Sequence, residues 1–182
     1  MDVAVGEADV GKTRWLLLVY RLPRDPSRHR VAVWRKLKAL GALYLQDGVA
    51  ALPEDAVTRE QLEWLQLRVR EAGGEATLWE GQPNTHAEGK ELVAAFRSSR
   101  EEAYQAIVAG AERVLRKAEL GGGNETLLAE LGKLEREFRA ERRRDYFRAP
   151  ARKEASEALK AARQALREGE SSSGRLGTGS GT

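Results

Sequence analysis

The stretch WLLLVY, residues 15–20, is the longest apolar run in the chain, and Leu22-Pro23 follows it closely. A continuous apolar run of this length is typical of a strand that is buried on both faces, because a half-exposed strand alternates apolar and polar residues. We therefore expect residues 15–20 to form the central strand of a sheet. Each face of that sheet must then be covered, by helices of the chain or by a second protomer.

Two amphipathic helices are predicted downstream of this strand. The first begins at an N-cap, Ser27, and ends at Gly41, with inner-face residues Val33, Trp34, Leu37 and Leu40. The second begins at a capping box of Thr58 with Gln61 and ends at Gly73-Gly74. Both helices thus present one apolar stripe to a common core.

Three short strand patterns complete the unit. Residues 43–45 and 49–52 flank Asp47-Gly48, a dipeptide that supplies the positive φ angles of a tight hairpin, and residues 76–79 form the last strand. The order strand, helix, strand, strand, helix, strand over residues 14–81 predicts an α+β fold. Specifically, it predicts a ferredoxin-like βαββαβ domain, in which two helices cover one face of a four-stranded antiparallel sheet.

The pattern changes to long helices after residue 85. Residues 86–168 are predicted to be a helical extension of three helices, the first of which ends at Gly121-Gly122-Gly123. The second starts at Asn124 and carries a narrow apolar seam suited to an antiparallel neighbour. The third starts at Pro150 and runs to about Arg167. The extension therefore contains a helical hairpin.

Both ends of the chain lack a sustained apolar period. Residues 1–13 are expected to be a flexible lead-in, and the Gly- and Ser-rich residues 169–182 a disordered tail. The sequence contains no cysteine, no apolar stretch long enough to span a membrane and no secretory leader pattern. These features predict a cytoplasmic protein without membrane contact, disulfides or thiol chemistry.

No catalytic constellation, metal site or cofactor motif is recognisable. The two histidines, His29 and His86, lie in separate segments without a carboxylate cluster at ligand spacing. The glycines at 121–123 are not followed by the Lys-Ser/Thr pair of a phosphate-binding loop. We therefore expect no catalytic residues, no metal and no cofactor.

Positive charge is concentrated in two segments, although the net charge is only +3. The first basic patch, residues 24–38, has six basic residues and one acid, and the second basic patch, residues 136–153, has eight and three. Phosphate contact by these segments is one interpretation. The predicted DNA-binding residues are Arg24, Arg28, Arg35, Lys36 and Lys38 in the first patch and Arg139, Arg142, Arg143, Arg144 and Arg148 in the second.

Each patch also has a simpler interpretation. The first would be an ordinary solvated helix face, and the second would be neutralised by Glu135, Glu137, Glu141 and Asp145 along the helix. Four residues are predicted to pack against a partner: Trp64, Leu67, Tyr146 and Phe147. The other three tryptophans, at positions 15, 34 and 79, are expected in the core.

The chain resembles the N-terminal domain of the chromate-resistance regulator family ChrB. The resemblance spans about residues 14–168 and rests on WLLLVYRLP at 15–23, VWRKLKALGA at 33–42, QDGV at 46–49 with Leu52-Pro53, and FRAERRRDYF at 138–147. It implies a cytoplasmic transcription regulator of a chromate-efflux operon. It also implies a ferredoxin-like core similar to the middle domain of the phenylacetate repressor PaaX and to the small CRISPR adaptation nucleases.

The sequence departs from these relatives in two ways. The nucleases would need an acidic residue just after the tyrosine of the first strand, and Arg21 follows Tyr20 here. Longer members of the family also carry a C-terminal domain, whereas this chain ends in the Gly/Ser tail. Metal-dependent nuclease activity is therefore disfavoured, and sensing of an effector could require the second domain.

The sequence leads to one main hypothesis and two rivals. The main hypothesis is a non-enzymatic DNA-binding regulator of a chromate-resistance system, a homo-oligomer whose effector is chromate or another oxyanion. That oxyanion would either be held as a charge by arginines or act through another protein. The first rival is a dimerisation or protein-interaction module without direct DNA contact. The second rival is a degenerate nucleic-acid-processing enzyme.

Overall fold

The computed structural model describes residues 13–120 and 124–173, and the chain divides into two compact units, residues 1–96 and 97–182. Unit 1 contains β1 (Trp15–Arg21), α1 (Arg28–Leu40), β2 (Leu43–Gln46), β3 (Val49–Pro53), α2 (Ala56–Glu71), β4 (Glu75–Gly81) and the first turns of α3 (His86–Glu119). Unit 2 contains the remainder of α3, α4 (Asn124–Arg143) and α5 (Ala151–Ser173). The predicted order of strands and helices is confirmed.

Strand β1 lies inside a four-stranded antiparallel sheet of order β2-β3-β1-β4. It pairs with β3 from Trp15 opposite Pro53 to Val19 opposite Val49, and with β4 along its whole length. Both edges of β1 therefore carry ladder hydrogen bonds, as expected for a central strand. The fold is α+β, with its sheet entirely in unit 1.

One face of the sheet carries the most deeply buried side chains of unit 1. Leu16 and Leu18 are fully buried beside their β3 partners Leu52 and Ala50. Helix α2 packs on β1 and β4 and contributes the buried residues Leu62, Leu65 and Val69, and α1 contributes Val33 and Leu37. These apolar side chains recur at helical spacing, so each helix buries one stripe and leaves its outer face in solvent.

The opposite face of the sheet is only partly covered. Trp15 is 2% exposed and packs on Phe96 of α3, with ring centroids 5.3 Å apart. Between this face and the first turns of α3 lies a groove of about 560 Å³, lined by residues that include Leu17 and Leu92. Trp79 remains 60% exposed. Val19, on the same face toward the other end of β1, is 39% exposed, so the expected cover is present at the Trp15 end and incomplete beyond it.

The start of each core helix differs in detail from the prediction. Asp55, not Thr58, is the N-cap of α2: its carboxylate accepts from the Thr58 backbone N–H at 2.7 Å, and the Thr58 hydroxyl accepts from the Asp55 N–H at 3.0 Å. The capping box is thus formed by Asp55 with Thr58, three residues earlier than the predicted pair of Thr58 with Gln61. Ser27 is the N-cap of α1, but its side chain forms no capping hydrogen bond.

The predicted burial of Trp34 and Trp79 is wrong. Trp34 is 47% exposed on α1, because it lies to one side of the Val33–Leu37 stripe that faces the sheet. Trp79 lies on β4, a sheet edge strand, and its indole N–H bonds the Thr77 hydroxyl at 2.9 Å. Helical spacing alone does not distinguish the centre of a stripe from its flank.

Side chains of α2 also bind the edge strand β4. The Ala76 carbonyl accepts hydrogen bonds from the Gln66 amide at 3.2 Å and from the Arg70 guanidinium at 2.8 and 3.2 Å. Arg59 pairs with Glu80 at 2.6 Å. These contacts join the polar flank of the helix to the outer strand.

Unit 2 is a bundle of helices with its own core. Contacts between α3 and α4 run in opposite directions along the two helices, from Lys117 with Glu130 to Tyr104 with Phe138, so the helices are antiparallel as predicted. The core also contains Leu127, Leu131, Ala155, Leu159, Ala162 and Leu166. A Cβ added at Gly110 would lie 2.7 Å from Leu134, so the glycine permits close approach of the two helices.

Helix α5 extends further than the sequence predicts. It begins at Ala151, directly after Pro150, and continues to Ser173, so the first residues of the predicted disordered tail are helical. The tail beyond residue 173, the lead-in at 1–12 and the glycines at 121–123 lie outside the described residues. No helix among those described is both long and apolar enough to cross a membrane.

Gly48→Ala tests the hairpin between β2 and β3. Gly48 has φ +75°, and a Cβ there would lie 2.4 Å from the Tyr20 carbonyl oxygen. We expect the substitution to lower the free energy of unfolding by about 2–4 kcal/mol, from the left-handed conformation and the backbone clash together. Denaturant unfolding followed by tryptophan fluorescence reports on unit 1, because all four tryptophans lie there. Gly81→Ala, where a Cβ meets nothing within 4 Å, is the matched control; an equal loss in both variants would contradict the argument.

Candidate nucleic-acid interface

The outer face of α1 carries two arginines aligned along the helix. Arg28 and Arg35 are seven residues apart, hence two turns apart on the same face, opposite the buried Val33 and Leu37. Both side chains are exposed, and no carboxylate of the described residues forms an ion pair with either one. Their charges are therefore available to an anionic partner.

Trp64 of α2 is held between two cations. The Lys36 ammonium lies 5.7 Å from the Trp64 ring centroid, and the Arg68 guanidinium lies 5.2 Å from it. The indole is 48% exposed. Because a cation over an indole face is attracted by the ring quadrupole, the three side chains form an ordered basic and aromatic surface that joins α1 to α2. We call it the α1/α2 surface, together with Arg28 and Arg35.

The remaining residues of the first basic patch lie around this surface. The Lys38 ammonium is 5.0 Å from the Trp34 ring centroid, on the side of α1 opposite Lys36. Arg24 is exposed in the loop that precedes α1. Leu67 is 57% exposed on the outer side of α2. The residues of the first basic patch thus lie on α1 and on the loop that precedes it, with Lys36 and Lys38 on different sides of the helix.

The second basic patch is divided by the structure. Arg144 pairs with Glu141, which also binds Arg100 at 3.2 Å, so the predicted pairing along the helix holds at this position. Arg139 and Arg143 are exposed on α4. None of Arg139, Arg142, Arg143 and Arg148 forms an ion pair with a described carboxylate. Arg144 is therefore a structural residue in this helix bundle, and the other four remain candidates.

Asp145 organises the loop between α4 and α5. Its carboxylate accepts from the Tyr104 hydroxyl at 3.1 Å and from the Ala149 N–H at 2.9 Å, and Arg152 lies 3.8 Å away. Burial, together with the negative charge of Asp145, raises the pKa of Tyr104, so the phenol stays protonated and donates this bond.

Phe147 is 2% exposed, so its predicted role in packing against a partner is wrong. Its backbone carbonyl accepts from Arg97 at 2.9 Å. Tyr146, beside it, is half-buried. The four arginines before them predict that both aromatic rings are exposed. The turn after α4 instead directs the Phe147 ring into the core.

A basic cavity of about 520 Å³ lies beside this loop. Its lining includes Phe138 and Arg142 of α4, Arg148 in the loop, and Arg152, Lys153 and Ser156 of α5. Arg148 has φ +53° and is the only non-glycine residue with positive φ in the described part of the chain. A side chain in this conformation costs free energy, which the surrounding contacts must offset.

No described group of three or more His, Cys, Asp or Glu side chains could hold a metal ion. Arg21, at the position where the nucleases would carry an acid, pairs instead with Glu75 across the β1–β4 ladder at 3.1 Å. The end of β1, where the nucleases would carry a metal-binding acid, therefore holds an ion pair with β4.

Comparison with known proteins identifies the family. The family described as "Protein ChrB, N-terminal" matches residues 30–171. That range includes α1 except for its first two residues, all of α2, and unit 2 up to residue 171.

The chain belongs to the ChrB N-terminal family. Protein ChrB of Cupriavidus metallidurans is 36% identical over 90 residues, which are 50% of this chain and 28% of the relative. The match thus spans less than a third of the curated relative's length. No solved structure matches the chain.

The structure adds residues to the site of this ChrB-family chain that sequence reasoning missed. Arg68 joins the first basic patch, although it lies 30 positions beyond Lys38 in the sequence. The signal available was its spacing of four residues from Trp64, which places both side chains on one helix face. Arg152 and Lys153 fell within the second basic patch but were not singled out, because only the turn at 144–150 brings them beside Arg142.

Tyr104→Phe tests the Asp145 network. The variant removes the hydroxyl donor while keeping the buried ring, so Asp145 loses one of its partners in a buried site. We expect the free energy of unfolding to fall by about 1–2 kcal/mol, measured by far-ultraviolet circular dichroism during urea denaturation. Tyr20→Phe, which removes only an exposed hydroxyl bonded to Tyr44 at 3.1 Å, is the control, with an expected change within about 0.5 kcal/mol. Equal values in the two variants would show that the network does not stabilise the loop.

Proposed function

We propose that this chain is a non-enzymatic, DNA-binding transcription regulator of a chromate-resistance system, and that the α1/α2 surface contacts the DNA backbone. The single observation that carries the proposal is the row of two arginines on α1 without an ion pair to a described carboxylate, beside Trp64 with its two flanking cations. Membership in the ChrB N-terminal family supports the association with chromate resistance.

The physical argument concerns where the charge lies. Arg28 and Arg35 point away from the apolar stripe of α1, so their charges do not contribute to the core. Guanidinium groups two helical turns apart are spaced about 10 Å along the axis, within reach of successive phosphates of one strand. Trp64 keeps Lys36 and Arg68 close to the same surface, which reduces the side-chain entropy lost on binding.

Four finer statements belong to the same proposal. We infer that unit 1 is a ferredoxin-like domain, supported by the strand order β2-β3-β1-β4 and by helices in the β1–β2 and β3–β4 connections. We also propose a cytoplasmic location, a homo-oligomer and an oxyanion effector such as chromate. With no cysteine in the sequence, such an effector would act through its charge rather than by oxidising a thiol.

The alternative function is a dimerisation or protein-interaction module. Exposed apolar side chains on the open sheet face favour it: Trp79 is 60% exposed, and Val19, on the same face, is 39% exposed. Absence of duplex binding by the intact chain would support this alternative over the regulator.

The double variant R28A/R35A tests the α1/α2 surface. Each phosphate contact releases counterions and contributes about −0.9 to the slope of log affinity against log salt concentration. We expect a lower affinity for operator and random duplexes alike and a slope reduced by up to about two, with stability unchanged within about 0.5 kcal/mol. Gel-shift titrations at several salt concentrations provide the measurement.

The control for R28A/R35A is R113A/K160A. It also removes two positive charges, from exposed residues that lie outside both basic patches and form no ion pair with a described carboxylate. An identical slope in wild type and R28A/R35A, or an equal effect of the control, would remove the α1/α2 surface from the proposal.

Trp64→Ala tests whether the indole positions its flanking cations. Without the ring, Lys36 and Arg68 lose a shared contact and must be ordered when DNA binds, so we expect affinity to fall roughly two- to five-fold. Trp79→Ala removes a comparably exposed indole from the edge strand and should leave affinity unchanged. Equal affinities of the two variants would contradict the positioning role.

A further inference from the structure

Four cations surround the cavity beside the α4–α5 loop in unit 2. They are Arg142, Arg148, Arg152 and Lys153, and no acidic residue is part of the lining. The Ser156 hydroxyl adds a neutral hydrogen-bond donor, and Phe138 forms part of an apolar wall. A concave, partly apolar site concentrates the field of its charges more than a flat surface does.

The nearby acids neutralise only part of this charge. Asp145 lies 3.8 Å from Arg152, and Glu157 lies 3.8 Å from Lys153. Arg142 and Arg148 form no ion pair with a described carboxylate. The two carboxylates offset two of the four cations, so the cavity keeps a net charge of about +2. A dianion would neutralise this charge.

The backbone at the cavity is in an unusual conformation. Arg148 has φ +53°, which glycine adopts without penalty and which is unfavourable for a side chain. The Asp145 carboxylate fixes this turn through the Ala149 N–H at 2.9 Å. The turn therefore holds Arg148 at the wall of the cavity with a backbone conformation that would be less strained for glycine.

We propose that this cavity binds a phosphate-like dianion through Arg142 and Arg148, with Arg152, Lys153 and Ser156 as further donors. The ligand class is a tetrahedral oxyanion such as sulfate or phosphate, because planar guanidinium groups donate paired hydrogen bonds to its oxygens. The bound tetrahedral oxyanion is either a free dianion or the singly charged phosphodiester of a DNA backbone. This site is separate from the α1/α2 surface. With a free ion as ligand it rests on the proposed function, because it locates the oxyanion effector named there, and sulfate binding without DNA tests it independently of the α1/α2 surface.

The first experiment measures sulfate binding to the full chain without DNA. Calorimetric titration with sodium sulfate, against sodium chloride at equal ionic strength, is expected to show sulfate-specific binding by the wild type. Affinity should fall roughly tenfold or more in R142A/R148A. The control R139A/R143A removes two exposed arginines of the same helical region that do not line the cavity, and it should bind sulfate as the wild type does.

Arg148→Gly separates binding from folding. Glycine accommodates the positive φ, so the variant should unfold at the same temperature as the wild type or a higher one, while sulfate affinity falls. A loss of sulfate binding therefore cannot be attributed to a damaged fold. Full sulfate affinity in both R148G and R142A/R148A would exclude a free oxyanion as the ligand of this cavity.

The second experiment distinguishes the two sources of the bound oxyanion. If R142A/R148A weakens duplex binding, R113A/K160A does not, and the wild type shows no sulfate-specific binding, the bound group is a DNA phosphate. Sulfate binding that depends on Arg142 and Arg148 identifies a free oxyanion. If neither sulfate nor duplex affinity depends on this pair, the cavity does not bind a phosphate-like dianion.

Discussion

The burial of β1, along one face at Leu16 and Leu18 and at Trp15 on the other, is the constraint on which the rest of unit 1 depends. Leu16 and Leu18 on one face require the apolar stripes of α1 and α2, and Trp15 on the other face requires Phe96. Because the strand is also paired along both edges, its backbone polar groups are satisfied only when β3 and β4 are in place. The sheet, both core helices and the start of α3 must therefore form together, as expected for a cooperative unit.

Stability and the proposed binding use different sides of the same helices. In α1, Val33 and Leu37 face the sheet while Arg28 and Arg35 face solvent, so evolution can change the outer residues without disturbing the core. Unit 2 does not show the same separation. There Asp145 supports the loop through Tyr104 and Ala149 and also pairs with Arg152 of the basic cavity, so changes to the loop affect both packing and charge.

Much of this arrangement could be predicted from the sequence, because it depends on local chemistry. Local geometry alone predicts the central strand from the apolar run at 15–20 and the hairpin from Asp47-Gly48. It also predicts that Arg28 and Arg35 share one helix face. The predictions that were wrong or incomplete concern residues whose surroundings depend on tertiary contacts. Trp34 lies at the flank of the buried stripe of α1, and the loop after α4 turns Phe147 inward. Lys36 reaches the Trp64 ring, which Arg68 also contacts, only when α1 and α2 pack together.

The hydrogen bonds to the Ala76 carbonyl protect the sheet against uncontrolled growth. An edge strand with free carbonyl and amide groups can recruit another strand, and repeated recruitment leads to aggregates. Gln66 and Arg70 occupy this carbonyl of the edge strand β4, and the irregular pairing between Tyr44 and Gln46 interrupts the regular pattern of the other edge strand, β2. Each edge strand of the sheet thus has a local feature that disfavours the addition of a further strand.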